Sequence, residues 1–347
     1  MLAALRAIHA WAGAILSLLL IVLGLTGSLL VFENDWIALK HPELRAGFAA
    51  DPAVLGAAAE RLEADHPDLR TVDFGGPQLG GHKLFLGQED FGVAAANGTT
   101  LDRWTGPARV EAFVFDLHHH LLAGETGEFV GGVAALAAVL LVLTGLVVWT
   151  PAWHATRLRV WPRSGRRGEL VSSHRNLGLI SAVPVLVFCL TGAGMVFHDQ
   201  AKALLASNAP APAPPPAVET GDIDWPAALA AAQARFPDAA LRMASWPAEP
   251  GKPASIRLKQ PGEWHPNGRT TVLIDPASSR VVRVLDAQTL TGGERAVNAI
   301  YPLHAGAVGG WLYEGLTVLS GLALAALGLV GTWSFLIKPR RRARRGK

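Results

Sequence analysis

His9 and His174 are the residues of this chain best placed to do chemistry in an unusual setting. Each heads a long apolar segment and stands 17 residues before a Thr-Gly pair: His9-Ala-Trp-Ala-Gly13 leads to Thr26-Gly27, and His174-Arg-Asn-Leu-Gly178 leads to Thr191-Gly192. The match continues to Val31-Phe32 and Val196-Phe197, so a whole helix length repeats at an offset of 165 residues. Histidine is costly inside hydrocarbon and is an iron ligand. The same histidine at the same depth of two segments therefore points to a metal or cofactor site shared between equivalent helices.

A second set of histidines precedes the other two apolar segments. The second segment follows Asp116-Leu-His118-His119-His120-Leu-Leu-Ala-Gly124, and the fourth follows Tyr301-Pro-Leu-His304-Ala-Gly306. Neutral imidazoles on both sides of a haem fill its axial positions and leave a centre that passes electrons. A proton relay and a divalent-metal site are the competing uses. Geometry leaves the member of the triple open: a helix unbroken through Gly124 continues the small-residue face to about His120, whereas a break at Gly124-Glu-Thr-Gly127 frees His118 to turn inward. His198 ends the third segment where the first has Glu33, and reads as a proton or substrate contact and an alternate ligand. His154 reads as interfacial, and His41, His66, His82 and His265 as domain surface.

The elements that must position these residues follow from composition. Half of the 347 residues are hydrophobic and 17% are charged, yet mean hydropathy is only +0.28, so the apolar content is concentrated. Four segments hold it, Ala10 to Phe32, Val130 to Thr150, Leu177 to Phe197 and Leu312 to Ile337, each about the 20 residues needed to cross a bilayer core. The first is too long, and lacks the cleavage site, to be a signal peptide, and reads as a retained anchor. Arg157, Arg159, Arg163, Arg166, Arg167 and Arg175 follow the second span, and the tail Lys338-Pro-Arg-Arg-Arg-Ala-Arg-Arg-Gly-Lys347 follows the fourth. The positive-inside rule puts both, and the N-terminus, in the cytoplasm. The basic isoelectric point near 9.2 thus reports topology and not a nucleic-acid partner. Trp149, Trp153, Trp311 and Trp333 fall at span edges, where amphipathic rings prefer to sit. The lone Cys189 excludes a cysteine-ligated iron-sulfur cluster and reads as a packing residue.

Two segments of about 90 and about 110 residues separate the spans outside the cytoplasm. In the first, Pro52 to His66 predicts a helix and Thr71 to Phe74, Lys83 to Leu86, Gly92 to Ala96 and Thr99 to Arg103 predict strands, with a tight turn at Asn97-Gly98. The second opens on the extended linker Ala209 to Ala217, then repeats the order: a helix at Trp225 to Phe236 and strands at Ala254 to Lys259, Thr270 to Ile274 and Val281 to Leu285. The fold class is membrane α-helical: a four-helix transmembrane bundle from a tandem parallel repeat, with two small extracytoplasmic α+β domains. Its parts are helix 1 (7–32), domain 1 (33–115), helix 2 with its histidine-rich lead-in (116–150), a basic loop (151–173), helix 3 (174–198), the linker and domain 2 (199–300), helix 4 (301–337) and a basic tail (338–347). Gly124, Gly131, Ala138 and Gly145 in helix 2, and Gly315, Gly321, Gly328 and Gly331 in helix 4, read as close-packing positions.

These motifs resemble the PepSY-associated transmembrane helix family of bacterial inner-membrane proteins, which includes iron-regulated proteins and ferric-siderophore reductases. The resemblance rests on His9-Ala-Trp-Ala-Gly, Asp116-Leu-His-His-His-Leu-Leu-Ala-Gly-Glu-Thr-Gly, Ser173-His-Arg-Asn-Leu-Gly and Leu303-His-Ala-Gly-Ala-Val-Gly-Gly310, with three Leu-Thr-Gly triplets, and covers essentially the whole chain. It implies two periplasmic PepSY-like domains, the second marked by Val272-Leu-Ile-Asp-Pro-Ala-Ser-Ser-Arg-Val-Val282, on a haem-carrying bundle. It also implies His118 over His120, and it departs from the family at Asn176, where an aromatic residue is common.

The expectation is an inner-membrane oxidoreductase with two b-type haems, one on His9 and His174 and one on His118 and His304. Its partners are membrane lipid, a cytoplasmic or membrane electron donor, and a ferric siderophore or another periplasmic acceptor. Trp246, Trp264, Arg269 and Tyr301 are candidate substrate contacts. Two other classes compete: a haem-free anchored module whose PepSY domains bind peptides or restrain a peptidase, and an iron or siderophore transporter subunit.

Overall fold

The computed structural model describes residues 1–45, 47–87, 89–155, 159–210 and 213–337; Arg157, the linker's Ala211 and Pro212, and the basic tail lie outside them. Four helices are long and apolar enough to cross a membrane: α1 (Leu2–Leu30), α5 (Gly124–Trp149), α6 (Arg167–Val196) and α10 (Gly310–Leu336). All begin before the apolar runs do, so His9 and His174 lie within helices and not ahead of them. The remaining helices are α2 (Glu33–Lys40), α3 (Pro52–Asp65), α4 (Val110–His119), α7 (His198–Leu205), α8 (Trp225–Arg235) and α9 (Gly292–His304). The chain divides into two compact units.

One unit holds Met1–Val31, Val114–His198 and the chain from Leu303 onward. Here α1 packs on α5 and α10, and α6 packs on the same two, so α1 and α6 stand on opposite corners of a four-helix bundle. Leu20, Ala138, Val185 and Cys189, one from each of three helices with Cys189 sharing α6, form its buried middle, with Leu324 of α10 packed against them. Helices α1 and α10 approach most closely where Gly24 faces Gly321: a Cβ on either glycine would run into the carbonyl of the other. Ser28 Oγ, one turn along, donates to the Val318 carbonyl at 3.0 Å. Small residues let backbones meet in this way where no hydrophobic force drives association.

The other unit, Phe32–Phe113 with Asp199–Pro302, is built on one antiparallel sheet. Strands β1 (Leu69–Asp73), β2 (His82–Leu86), β3 (Asp90–Ala94) and β4 (Thr100–Thr105) come from the first segment, and β5 (Ala240–Ser245), β6 (Ala254–Lys259), β7 (Thr270–Ile274) and β8 (Val281–Leu285) from the second. Their order, β4-β3-β2-β1-β5-β6-β7-β8, runs outward in sequence on both sides of a central β1–β5 pair. Each half is thus a helix followed by four strands, and Asp caps both helices: Asp51 accepts from the Ala53 amide at 2.8 Å and Asp224 from the Ala227 amide at 2.9 Å. Strand alternation puts Val72, Leu84, Ala244, Ile256 and Val272 on one face, buried in a single core with Leu55, Leu62, Trp225 and Leu229 of α3 and α8. The two helices cross where Gly56 meets the Pro226 backbone. The segments expected as two small domains therefore share one sheet and one core.

Three histidines expected on the domain surface are buried: His66, His82 and His265. The reason is that their ring nitrogens find partners. His82 Nδ1 accepts from the Gly75 amide at 3.1 Å while Nε2 meets the Ala96 carbonyl at 3.2 Å. His66 Nε2 meets Thr100 Oγ1 at 2.8 Å, and His265 Nδ1 accepts from the Asn267 amide at 3.2 Å. A buried polar group so satisfied costs little.

Candidate functional site

The bundle brings both histidine pairs together. The His9 and His174 ring centres lie 6.2 Å apart with ring planes at 77°. Those of His118 and His304 also lie 6.2 Å apart, at 36°. All four residues are half-buried. His9 and His174 sit on α1 and α6, the opposite corners, so the first pair spans the bundle near one end. The second pair rests on the same two helices one Thr-Gly further on, because His118 reaches Thr26 of α1 and His304 reaches Thr191 of α6. Seventeen residues at 1.5 Å per residue separate the two levels by about 25 Å, close to the thickness of a bilayer core.

A break in the chain follows His118 and accompanies its approach to His304. Helix α4 ends at His119, and Leu121, Leu122 and Gly124 take left-handed φ values of 50°, 58° and 57° before α5 starts. The first two lack the freedom of glycine, and each costs on the order of 1 kcal/mol in that conformation. The corresponding turn after α9 uses Gly306, Gly309 and Gly310 instead. The turn leaves His118 facing His304, while His119 stacks on Phe115 with centres 4.1 Å apart. His120, the alternate, pairs with Asp116 Oδ1 at 2.8 Å. His198, the other alternate, opens α7.

Each histidine leans on a neighbouring helix through Nδ1. His9 Nδ1 lies 3.0 Å from Thr144 Oγ1, His118 Nδ1 2.9 Å from Thr26 Oγ1, and His304 Nδ1 3.1 Å from both Thr191 Oγ1 and the Phe188 carbonyl. His174 Nδ1 lies 3.0 Å from the Leu327 carbonyl. The residue after each of the three threonines is a glycine beside the ring, and at His174 that place is taken by Gly331, four residues after Leu327. A Cβ on Gly27 or Gly192 would stand 2.9 Å from Cε1 of His118 or His304, and one on Gly145 or Gly331 3.2 or 3.1 Å from Cε1 of His9 or His174. Gly145 and Gly331, expected to serve helix packing, thus seat histidines. Gly321 and Gly328 do pack on α1, whereas Gly131 and Gly315 have no neighbour among the described residues. The Thr-Gly pairs were visible in the sequence as register marks. Their contact with histidines 92 to 135 residues away was not.

A model of the family described as PepSY-associated TM region matches residues 6–338. The chain belongs to this family. No curated protein matches it at the significance required. Family membership and four apolar helices make it a multi-pass membrane protein. Asn176 is buried and donates to the Arg159 carbonyl at 2.9 Å, and Arg159 pairs with Glu169 at 2.5 Å. Asn176 thereby ties the basic connection to the start of α6.

Of the residues expected to touch a substrate, Arg269 and Tyr301 lie near each other beside His265, the residue after Trp264, whereas Trp246 packs elsewhere in the sheet unit. Trp246 packs on Trp225, centres 4.5 Å apart, at the edge of the core. Trp264 is exposed. Tyr301 lies over His265, centres 5.0 Å apart, and the Arg269 amide donates to Glu263 Oε2 at 2.5 Å. Burial, then the charges of Arg269, Arg257 and Lys259, push the His265 imidazole down to about 3, so it stays neutral among cations.

Proposed function

We propose that this chain is a di-haem b electron-transfer protein of the bacterial inner membrane, built as a tandem parallel repeat with cytoplasmic termini and a periplasmic sheet unit. It carries electrons across the bilayer to a periplasmic acceptor. His9 and His174 hold one haem and His118 and His304 the other.

The spacing of the rings carries this reading. Two imidazoles bound on opposite sides of one metal at about 2 Å, with ring centres about 1.1 Å behind each nitrogen, have centres roughly 6 Å apart. Both pairs stand at 6.2 Å. A direct ring-to-ring hydrogen bond of about 2.9 Å would draw the centres to about 5 Å, which weighs against a simple proton relay. A divalent ion held by protein alone needs more donors, and among the described residues no group of three or more His, Cys, Asp or Glu is arranged to hold one. Two histidines per centre suit a group that brings four donors of its own. When bound, haem would supply a one-electron couple, with His9 and His174 holding one and His118 and His304 the other. The chain's own residues hold the imidazoles in place and keep the middle of the bundle dry between the two levels.

The acceptor favoured by the family resemblance is a ferric siderophore. One electron converts its Fe³⁺ to Fe²⁺, which oxygen-rich chelators hold less well, so reduction frees the iron. The test is the visible spectrum of the detergent-solubilised protein. We expect a Soret band and a reducible α-band, with His9→Ala or His174→Ala removing one centre and His118→Ala or His304→Ala the other. Absence of both bands, or equal loss of both centres in every variant, overturns the di-haem reading. Anaerobic mixing of reduced protein with a ferric siderophore and a ferrous chelator tests the acceptor separately: no reoxidation and no trapped Fe²⁺ overturns that part alone.

A further inference from the structure

We infer that the helix positions opposite the four histidines, three of them Thr-Gly pairs, fix the imidazole tautomer and tune the ligand. This rests on the di-haem reading for its redox consequence, but the tautomer itself follows from hydrogen-bond accounting. A neutral imidazole carries one proton, and a carbonyl can only accept. His174 and His304 each place Nδ1 on a main-chain carbonyl, so Nδ1 bears the proton in both.

His9 and His118 face hydroxyls, which could either donate or accept. Each hydroxyl has a single proton, and both spend it on their own helix: Thr144 Oγ1 donates to the Leu140 carbonyl and Thr26 Oγ1 to the Val22 carbonyl, each at 2.7 Å. Toward histidine they can only accept. Nδ1 therefore bears the proton in all four rings, and Nε2 keeps its lone pair, with no hydrogen bond to it among the described residues. His82 and His265 of the same chain are set the other way, because their Nδ1 atoms accept from backbone amides. An outer partner that fixes the tautomer and draws on the N–H raises the basicity of a ligating imidazole.

The glycine of each pair has a separate part: without a side chain it lets the ring edge settle against the helix within reach of the acceptor. The fourth position tests the rule. Val330 precedes Gly331 where the others have threonine, and there the ring turns to the Leu327 carbonyl, which keeps the proton on Nδ1. Thr144, Thr26 and Thr191 are thus positioning residues that act through histidine.

Thr144 gives the clearest test, because its hydroxyl is the one acceptor at His9 Nδ1 among the described residues. In Thr144→Val the ring loses its acceptor at nearly constant side-chain volume. Potentiometric titration of the full chain in detergent should show the centre lost in His9→Ala becoming easier to reduce, with its reduction equilibrium shifted threefold to tenfold, tenfold being about 59 mV for one electron. The other centre should not move, and Thr144→Ser should restore the original potential. Thr191→Val should shift its own centre less, because the Phe188 carbonyl still holds His304. Haem at both centres with no potential moved by Thr144→Val, or serine behaving as valine does, overturns the inference and leaves the di-haem reading standing. If the chain proves haem-free, ¹⁵N spectra of histidine-labelled protein still decide the tautomer. We expect Nδ1–H at all four rings and a mixture at His9 in Thr144→Val; Nε2–H in the unaltered protein overturns the assignment.

Discussion

His82 shows what burial does to a histidine that serves the fold. Desolvation, only partly offset by its bond to the Ala96 carbonyl, holds its imidazole down to about 4 from an ordinary 6.5. The folded form therefore binds fewer protons than the unfolded form between these values. Its contribution is complete above pH 6.5 and is lost as pH falls toward 4, worth about 3 kcal/mol over that window. Protection of the β2 and β3 amides, taken relative to the intrinsic exchange rate at each pH, should fall over that range and level off below it, and His82→Gln should flatten the slope; the same slope in the variant would exclude His82 as its source. Nothing in the local sequence Gly81-His-Lys-Leu-Phe marks this residue as buried, because its partners, Gly75 and Ala96, are supplied by the turn before β2 and the end of β3. His9, His174, His118 and His304 were legible for the opposite reason. A repeat at constant offset reports a shared environment without requiring that any contact be known.

At the level of elements, the long apolar helices and most strands were legible from period and turn residues, whereas β5 and the short helices α4 and α9 were not. Strand β5, Ala-Leu-Arg-Met-Ala-Ser, has no β-branched residue, and its extended form comes from partners on both sides. Helices α4 and α9 carry His118 and His304, so the sequence marked the candidate ligands without showing the elements that deliver them. The α1–α10 contact offers a test of an element by packing alone. Gly321→Val would force its side chain into the Gly24 carbonyl and Ser28 Oγ. Overpacking of this kind costs about 1–3 kcal/mol. Thermal denaturation in detergent should show a clear loss, with Gly315→Val, which meets no neighbour among the described residues, as the neutral comparison. Equal effects would mean that the close approach is not tight.

For the molecule as a whole, the sheet unit needs both of its segments. The central pair joins Thr71 to Ser245, Val72 to Ala244 and Asp73 to Met243, and the core beneath mixes α3 and α8. A fragment of residues 32–113 would leave β1 as a bare inner edge, and such edges template pairing with other chains. By size-exclusion chromatography the fragment should run as a dimer or aggregate, and coexpression with residues 199–302 should yield a one-to-one complex. A stable monomer of the first fragment would mean that the half folds alone. The composition that suggested two separate small domains could not reveal this seam, since backbone pairing leaves little trace in side-chain pattern.

The seam also sets an order of events during synthesis. Thr71 and Ser245, whose hydroxyls meet across it at 3.0 Å, are 174 residues apart in the chain, and two of the long apolar helices, α5 and α6, are made between them. At about 5–20 residues per second, the ribosome needs roughly ten to thirty seconds to supply the second half. Throughout that interval β1 waits with one side unpaired. Until β5 is made, that edge is a template open to other chains, so the time between the two halves is the interval in which this protein is most exposed to mispairing.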